Sequence, residues 1–161
     1  SAVPNHQVYR NTPIATRANV AYFGTFGYEL DPNRLTPEER EQVRGQIRFM
    51  KEYREVLQFG DFYRLRSPFE SNFLSWMVVS PDRRTALVGW YKILNEVNGP
   101  YRRVRLQGLD PALCYQIDGG AGHFGDELMN VGLLTTDSAA GESDPTRASC
   151  DFDSRIYVLK A

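Results

Sequence analysis

The chain has 161 residues, a net charge of −1, 42% hydrophobic residues and 24% charged residues. That is long enough for one domain with a real core and too apolar for an intrinsically disordered chain. The balanced charge gives no footprint for nucleic acid or an anionic membrane, and no run approaches the roughly 20 apolar residues of a membrane span.

Residues 1–19 (SAVPNHQVYRNTPIATRAN) are polar, hold two prolines and show no periodicity, which predicts a loop. The start, SAVPNHQ, lacks the basic and apolar parts of a secretory leader. Val20–Tyr28 is apolar or glycine at almost every position. Such a run predicts a strand buried on both faces, as in a parallel sheet covered by helices. Gly24 and Gly27 then mark close backbone approach or a bend.

A helix follows with strong punctuation. Thr36 is the N-cap, Pro37 the first helical residue, and Glu39 completes a capping box. Glu38, Glu39 and Glu41 suit the positive end of the helix dipole. Val43, Ile47, Met50 and Leu57 recur on one face, widened by Phe49, Tyr53 and Val56, and Gly60 is the expected C-cap. One strand–helix unit cannot bury itself, so the chain reads as the tail of a larger α/β fold.

Beyond Gly60 short β-rich segments alternate with turns at hairpin spacing. Strands are predicted at 61–66, 73–80, 84–94, 101–107, 113–118, 127–133 and 154–160, with turns at Pro81-Asp82, Asn98-Gly99-Pro100 and Gly108–Pro111. The pattern implies an antiparallel sandwich or small barrel. Residues 134–151 are small and polar and read as a loop.

Chemistry-bearing residues are sparse. Cys114 and Cys150 make no disulfide framework. His6 and His123 show no metal-ligand spacing, and Asp144, Asp151 and Asp153 do not follow a calcium-loop pattern. His123 lies in GGAGHFGDE, which predicts a turn. Glu29 and Asp31 close the Val20–Tyr28 run, where a barrel would place catalytic groups; a hydrogen-bonded loop role is the alternative. Trp76, Trp90, Tyr91 and Tyr101 suit either a sugar-stacking platform or core positions. Arg64, Arg66, Arg102, Arg103 and Arg105 suit a solvated or domain-docking face better than an anion site.

Several long stretches carry a resemblance: SAVPNHQ, TPIATRANVAYFGTFGYELD, MKEYREVLQFGDFYRL, SPFESN, WMVVS, RLQGLDP, FGDELMNVGL and DFDSRIYVLK. In content and order they resemble the C-terminal end of family 36 glycoside hydrolases, the bacterial-type α-galactosidases. The resemblance covers nearly the whole chain and leaves 134–150 as an insertion.

It implies a modular enzyme: an N-terminal β-sandwich, a (β/α)8 barrel and a C-terminal antiparallel β domain. The expected fold class is an α+β fragment, the last strand and helix of the barrel followed by an antiparallel β-sandwich domain. Residues 1–60 would be the terminal βα unit of the catalytic barrel, and 61–161 the C-terminal domain.

Enzymes similar to this chain retain configuration with two carboxylates, one nucleophile and one acid/base. In the family the nucleophile is the Asp of a Lys-Trp-Asp strand end, and the acid/base is an Asp after a Ser on a later strand. Neither strand motif occurs here, so the resemblance implies no catalytic residue in this chain, and no cofactor or metal. Asn5 and His6, in the loop PNHQ, are the candidates for the rim of the sugar pocket.

The implied parent removes terminal α-linked galactose from melibiose, raffinose and related sugars, in the cytoplasm of a bacterium. The chain itself would be structural and inactive alone. Its partners would be the rest of the same polypeptide, the α-galactoside through the barrel, and further copies of the parent in a homo-oligomer, with no nucleic acid or membrane. The alternative is an autonomous carbohydrate-binding module, which needs an exposed aromatic patch. Without the barrel, Tyr22, Phe23, Phe26 and Tyr28 are expected to lose cover. Each large apolar side chain left wet forgoes about 1.5–3 kcal/mol, which favours self-association.

Overall fold

The computed structural model describes residues 9, 11–96, 102–135 and 151–161. Helix α1 spans Ile14–Ala21, a 3-10 turn spans Pro32–Arg34, and helix α2 spans Pro37–Phe59. Strands β1 (Asp61–Arg66), β2 (Phe73–Val79) and β3 (Thr85–Lys92) follow. Then come β4 (Arg103–Val104), β5 (Cys114–Ile117), β6 (Gly122–Phe124), helix α3 (Gly125–Asn130), β7 (Leu133–Leu134) and β8 (Asp153–Lys160).

Helix α2 begins where its sequence says it should. The Glu39 amide donates to Thr36 Oγ1 at 3.2 Å, and the Thr36 amide donates to Glu39 Oε2 at 2.9 Å. Two amide donors that the helix leaves orphaned are thereby satisfied. At the other end the Gly60 amide closes on the Val56 carbonyl.

The six-stranded sheet runs in the order β1-β2-β3-β8-β5-β6, and each neighbouring pair is antiparallel. Its register sorts side chains into two cores. Met77, Val88 and Tyr157 align across β2, β3 and β8. They join Val104, Leu106, Leu109, Leu128 and Leu133 in the larger core. The alternate positions Val78, Leu87 and Val158 align in turn and face α2 through Tyr53, Phe49 and Val56. Strands β2 and β3 are therefore buried on both faces, and that explains their near-continuous apolar sequences. Helices α1 and α2 cover one face. On the other lie α3, the crossing segment at Leu106–Leu109, and the two-stranded pair β4–β7.

The fold is mostly antiparallel sheet with few helices. Strands at 61–66, 73–79, 85–92, 114–117 and 153–160 lie where the alternation placed them. Several expectations need correction. Residues 14–19, expected as loop, form most of α1. Val20–Tyr28 is not a strand: its first two residues end α1, and the chain then turns, with the Phe23 amide on the Val20 carbonyl and the Gly24 amide on the Ala21 carbonyl. A short apolar run has no period that separates a buried strand from a helix end followed by a plug.

Nor does this segment depend on absent neighbours for all of its cover. Tyr22 is 5% exposed, packed on Phe49 of α2 and on Phe26, and Phe23 meets Trp76 edge-on. Phe23, Phe26 and Tyr28 are half-buried. Residues 127–133, expected as one strand, form most of α3 and the start of β7. Leu128 plugs the core while Glu127 and Asn130 face solvent, which is helical sorting. The strand expected at 101–107 shrinks to Arg103–Val104 among the described residues.

Candidate functional site

Asn5 and His6, the rim candidates, lie outside the described residues, as do Tyr101, Asp144 and Cys150. Glu29 is exposed. Asp31 caps the 3-10 turn, accepting the Asn33 amide at 2.9 Å, and stands 3.7 Å from Arg34. Its role here is local structure. Asp151 accepts the Asn95 amide and Asp153 the Ser154 amide. Among the described residues no group of three or more His, Cys, Asp or Glu side chains is placed to hold a metal. None of the described helices is long and apolar enough to cross a membrane.

Among the described aromatic candidates, Trp90 and Tyr91 are core and Trp76 is half-buried against them. Trp90 and Tyr91 are each 3% exposed. Trp90 packs on Phe73, and Trp76 lies 4.7 Å from the Tyr91 ring. Burial drives the Tyr91 hydroxyl far above its ordinary range, because a phenolate there would lose its water. A sugar cannot reach the buried rings of Trp90 and Tyr91, so these two build no exposed platform of the kind an autonomous module needs.

The arginines do not converge either. Arg64 lies over Phe62, and Arg102 pairs with Glu96 while covering Phe73 at 3.7 Å. Arg103 donates to the Gly132 carbonyl at 3.0 Å.

What sequence reading missed is a cleft of about 400 Å³ on the side of the sheet away from α1 and α2. Five polar side chains reach it from five different places: Arg103 of β4, Asp118 of the β5–β6 turn, His123 of β6, Glu127 of α3 and Arg155 of β8. Leu128, Leu133 and Tyr157 supply apolar wall. Asp118 stands at φ 52°, in the left-handed region, which Asp tolerates better than most residues. Its Oδ1 accepts the Val158 amide and its Oδ2 accepts from Arg155, at 2.9 and 3.0 Å. His123 Nδ1 is 3.0 Å from Glu127 Oε1. Arg155 also lies over the Tyr157 ring at 4.5 Å. The one advance signal was the four-residue spacing of His123 and Glu127, hidden because this stretch reads as a turn and a strand.

Comparison with known proteins assigns the whole chain. The profile of the glycosyl hydrolase family 36 C-terminal domain matches residues 74–159, and the melibiase profile matches residues 1–60. The chain is 47% identical over 161 residues to alpha-galactosidase AgaA of Geobacillus stearothermophilus, covering 100% of this chain and 21% of that protein. It is 36% identical over 162 residues to alpha-galactosidase 1 of Pediococcus pentosaceus, with 100% and 21% covered.

The crystal structure of a variant of the Geobacillus enzyme in complex with raffinose superposes with a TM-score of 0.90 at 44% identity, over 99% of this chain and 21% of that one. That of the Lactobacillus brevis alpha-galactosidase gives 0.89 at 43%, over the same shares. The chain thus spans about one fifth of the relatives it matches, and on the agreement of profile, sequence and fold it belongs to glycoside hydrolase family 36.

Proposed function

We propose that this chain is the C-terminal, non-catalytic part of a retaining α-galactosidase that removes terminal α-linked galactose from oligosaccharides such as melibiose and raffinose. The observation that carries the reading is identity of 47% across all 161 residues to an α-galactosidase, joined to a TM-score of 0.90 against a raffinose complex of that enzyme. Retaining hydrolysis needs two facing carboxylates, about 5–5.5 Å apart. The sequence has no Lys-Trp-Asp, and its Ser143-Asp144 pair falls in the stretch read as a loop rather than at a strand end, so both carboxylates come from elsewhere in the parent.

In this reading residues 1–60 belong to the catalytic barrel and 61–161 to the C-terminal antiparallel β domain. The barrel part contributes α2, the helix expected from its capping box, and α1 where a loop and a strand were expected. Asn5 and His6 stand at the rim of the sugar pocket, where a loop that leaves the catalytic face brings them. The parent works in the cytoplasm as a homo-oligomer. The role of this part is to carry α1 and α2 on the sheet and so hold the end of the barrel in place.

The test is an assay of two proteins on a chromogenic α-galactoside and on raffinose. The parent that contains this chain is expected to turn over both, and the 161-residue chain neither. Turnover by the chain alone, freed of host enzyme, would place the catalytic pair inside it and overturn the reading. A parent inert on every α-galactoside would overturn the activity.

A further inference from the structure

We propose that the cleft between β5, β6, α3 and β8 is a binding site for a neutral saccharide. It does not depend on the parent's activity. Its volume of about 400 Å³ falls within the ~300–1,000 Å³ of small-molecule sites. Such sites join an apolar wall to a few convergent polar groups, and this one does so with side chains from five separate segments.

The ligand class follows from the charges. Two guanidiniums, Arg103 and Arg155, face two carboxylates, Asp118 and Glu127. Their charges cancel, so the cleft has no net attraction for an anion or a cation. It offers fixed N–H donors and fixed carboxylate acceptors within one small space. A hydroxyl both donates and accepts, so a polyhydroxylated ring can use both kinds of group at once, while its C–H face lies on Ile117 and Leu134, the accessible apolar side chains of the lining. A phosphate or carboxylate ligand would meet Asp118 and Glu127, and an amine would meet the two arginines.

The polar groups are also held in place before any ligand arrives. Asp118 is fixed by the Val158 amide and by Arg155. Arg103 is fixed on the Gly132 carbonyl, at a glycine with φ 94°. Groups already ordered cost less to use in binding. The left-handed backbone of Asp118, a non-glycine residue at the edge of the cleft, is of the kind found at ligand sites.

The experiment uses the 161-residue chain, in which no catalytic pair competes for sugar. Amide NMR shifts are followed during titration with raffinose, galactose and, separately, inorganic phosphate. Raffinose or galactose is expected to give saturable shifts at millimolar concentration, clustered at Asp118, His123, Glu127 and Gly132. Glu127→Gln and Arg155→Ala should each weaken binding about fivefold, the loss of one net hydrogen bond, with the rest of the spectrum preserved. Lys51→Ala, on exposed α2, should leave it unchanged. Absence of saturable shifts, shifts centred outside the cleft, or tighter response to phosphate than to sugar would each overturn the proposal.

Discussion

The Tyr91 hydroxyl donates to the Asn19 carbonyl at 2.6 Å, joining β3 to the last turn of α1 across 72 residues of chain. That carbonyl is one of the acceptors a helix end leaves over, because the Phe23 amide turns back to Val20. Asn19 itself donates to Ser154 of β8 at 2.9 Å, so α1 is tied to two adjacent strands.

Tyr91→Phe should therefore cost about 1–3 kcal/mol, since the Asn19 carbonyl loses its donor at a partly buried site. Urea unfolding should show a lower midpoint with an unchanged slope. A midpoint equal to that of the parent sequence would show that water replaces the hydroxyl.

Gly89 lies opposite Trp76 and Ile156 in the sheet. A Cβ there would stand 2.6 Å from the Tyr91 hydroxyl and 3.0 Å from the Phe23 ring. Because that hydroxyl is pinned to Asn19, Gly89→Ala should destabilise by about 1–3 kcal/mol, the usual cost of overpacking. Combined with Tyr91→Phe the loss should be smaller than the sum, because the nearest clashing atom is gone. A double-mutant cycle in urea measures this coupling, and strict additivity would count against it.

Burial raises the hydroxyls of Tyr22 and Tyr91 above the ordinary tyrosine value of 10.0. The sign follows from proton counts. Above about pH 10 the unfolded chain gives up these protons while the folded chain keeps them, so stability falls as pH rises. The contribution is whole below pH 10 and is lost progressively above it. Urea midpoints taken from neutral to strongly alkaline pH should decline, and the decline should be shallower in Tyr91→Phe.

Removal of residues 1–60 should abolish cooperative folding of the β-rich remainder. Val78 and Leu87 are at most 1% exposed because α2 covers them through Tyr53. Lys160 adds a surface tie, 3.3 Å from Glu52 and over the Tyr53 ring. A chain of residues 61–161 would open an apolar sheet face to water and aggregate. A sharp two-state melt of that shortened chain, monomeric by light scattering, would disprove the dependence.

Thr36→Ala should cost about 1 kcal/mol, as it removes the hydroxyl that accepts the Glu39 amide, while the backbone amide of residue 36 keeps its bond to Glu39. Helix signal at partial denaturation reads it directly.

The chemistry of short spacings was sufficient for what is local. Thr36, Pro37 and Glu39 determine the start of α2 within three residues, because capping needs no distant partner. Alternation and β-branched content placed β1, β2, β3, β5 and β8, and the ordered run of long stretches from SAVPNHQ to DFDSRIYVLK carried the family. Only the tertiary structure decided which apolar run was the doubly buried strand. Val20–Tyr28 and Phe73–Val79 look alike in hydrophobicity, yet the first ends a helix and plugs the space under α2 with aromatic rings, while the second lies inside the sheet. The difference rests on which neighbours cover each segment, and cover is a non-local property. The same holds for the cleft: Arg103, Asp118, His123, Glu127 and Arg155 carry no common motif, and they meet only because β8 pairs with β5 and α3 folds back over the core.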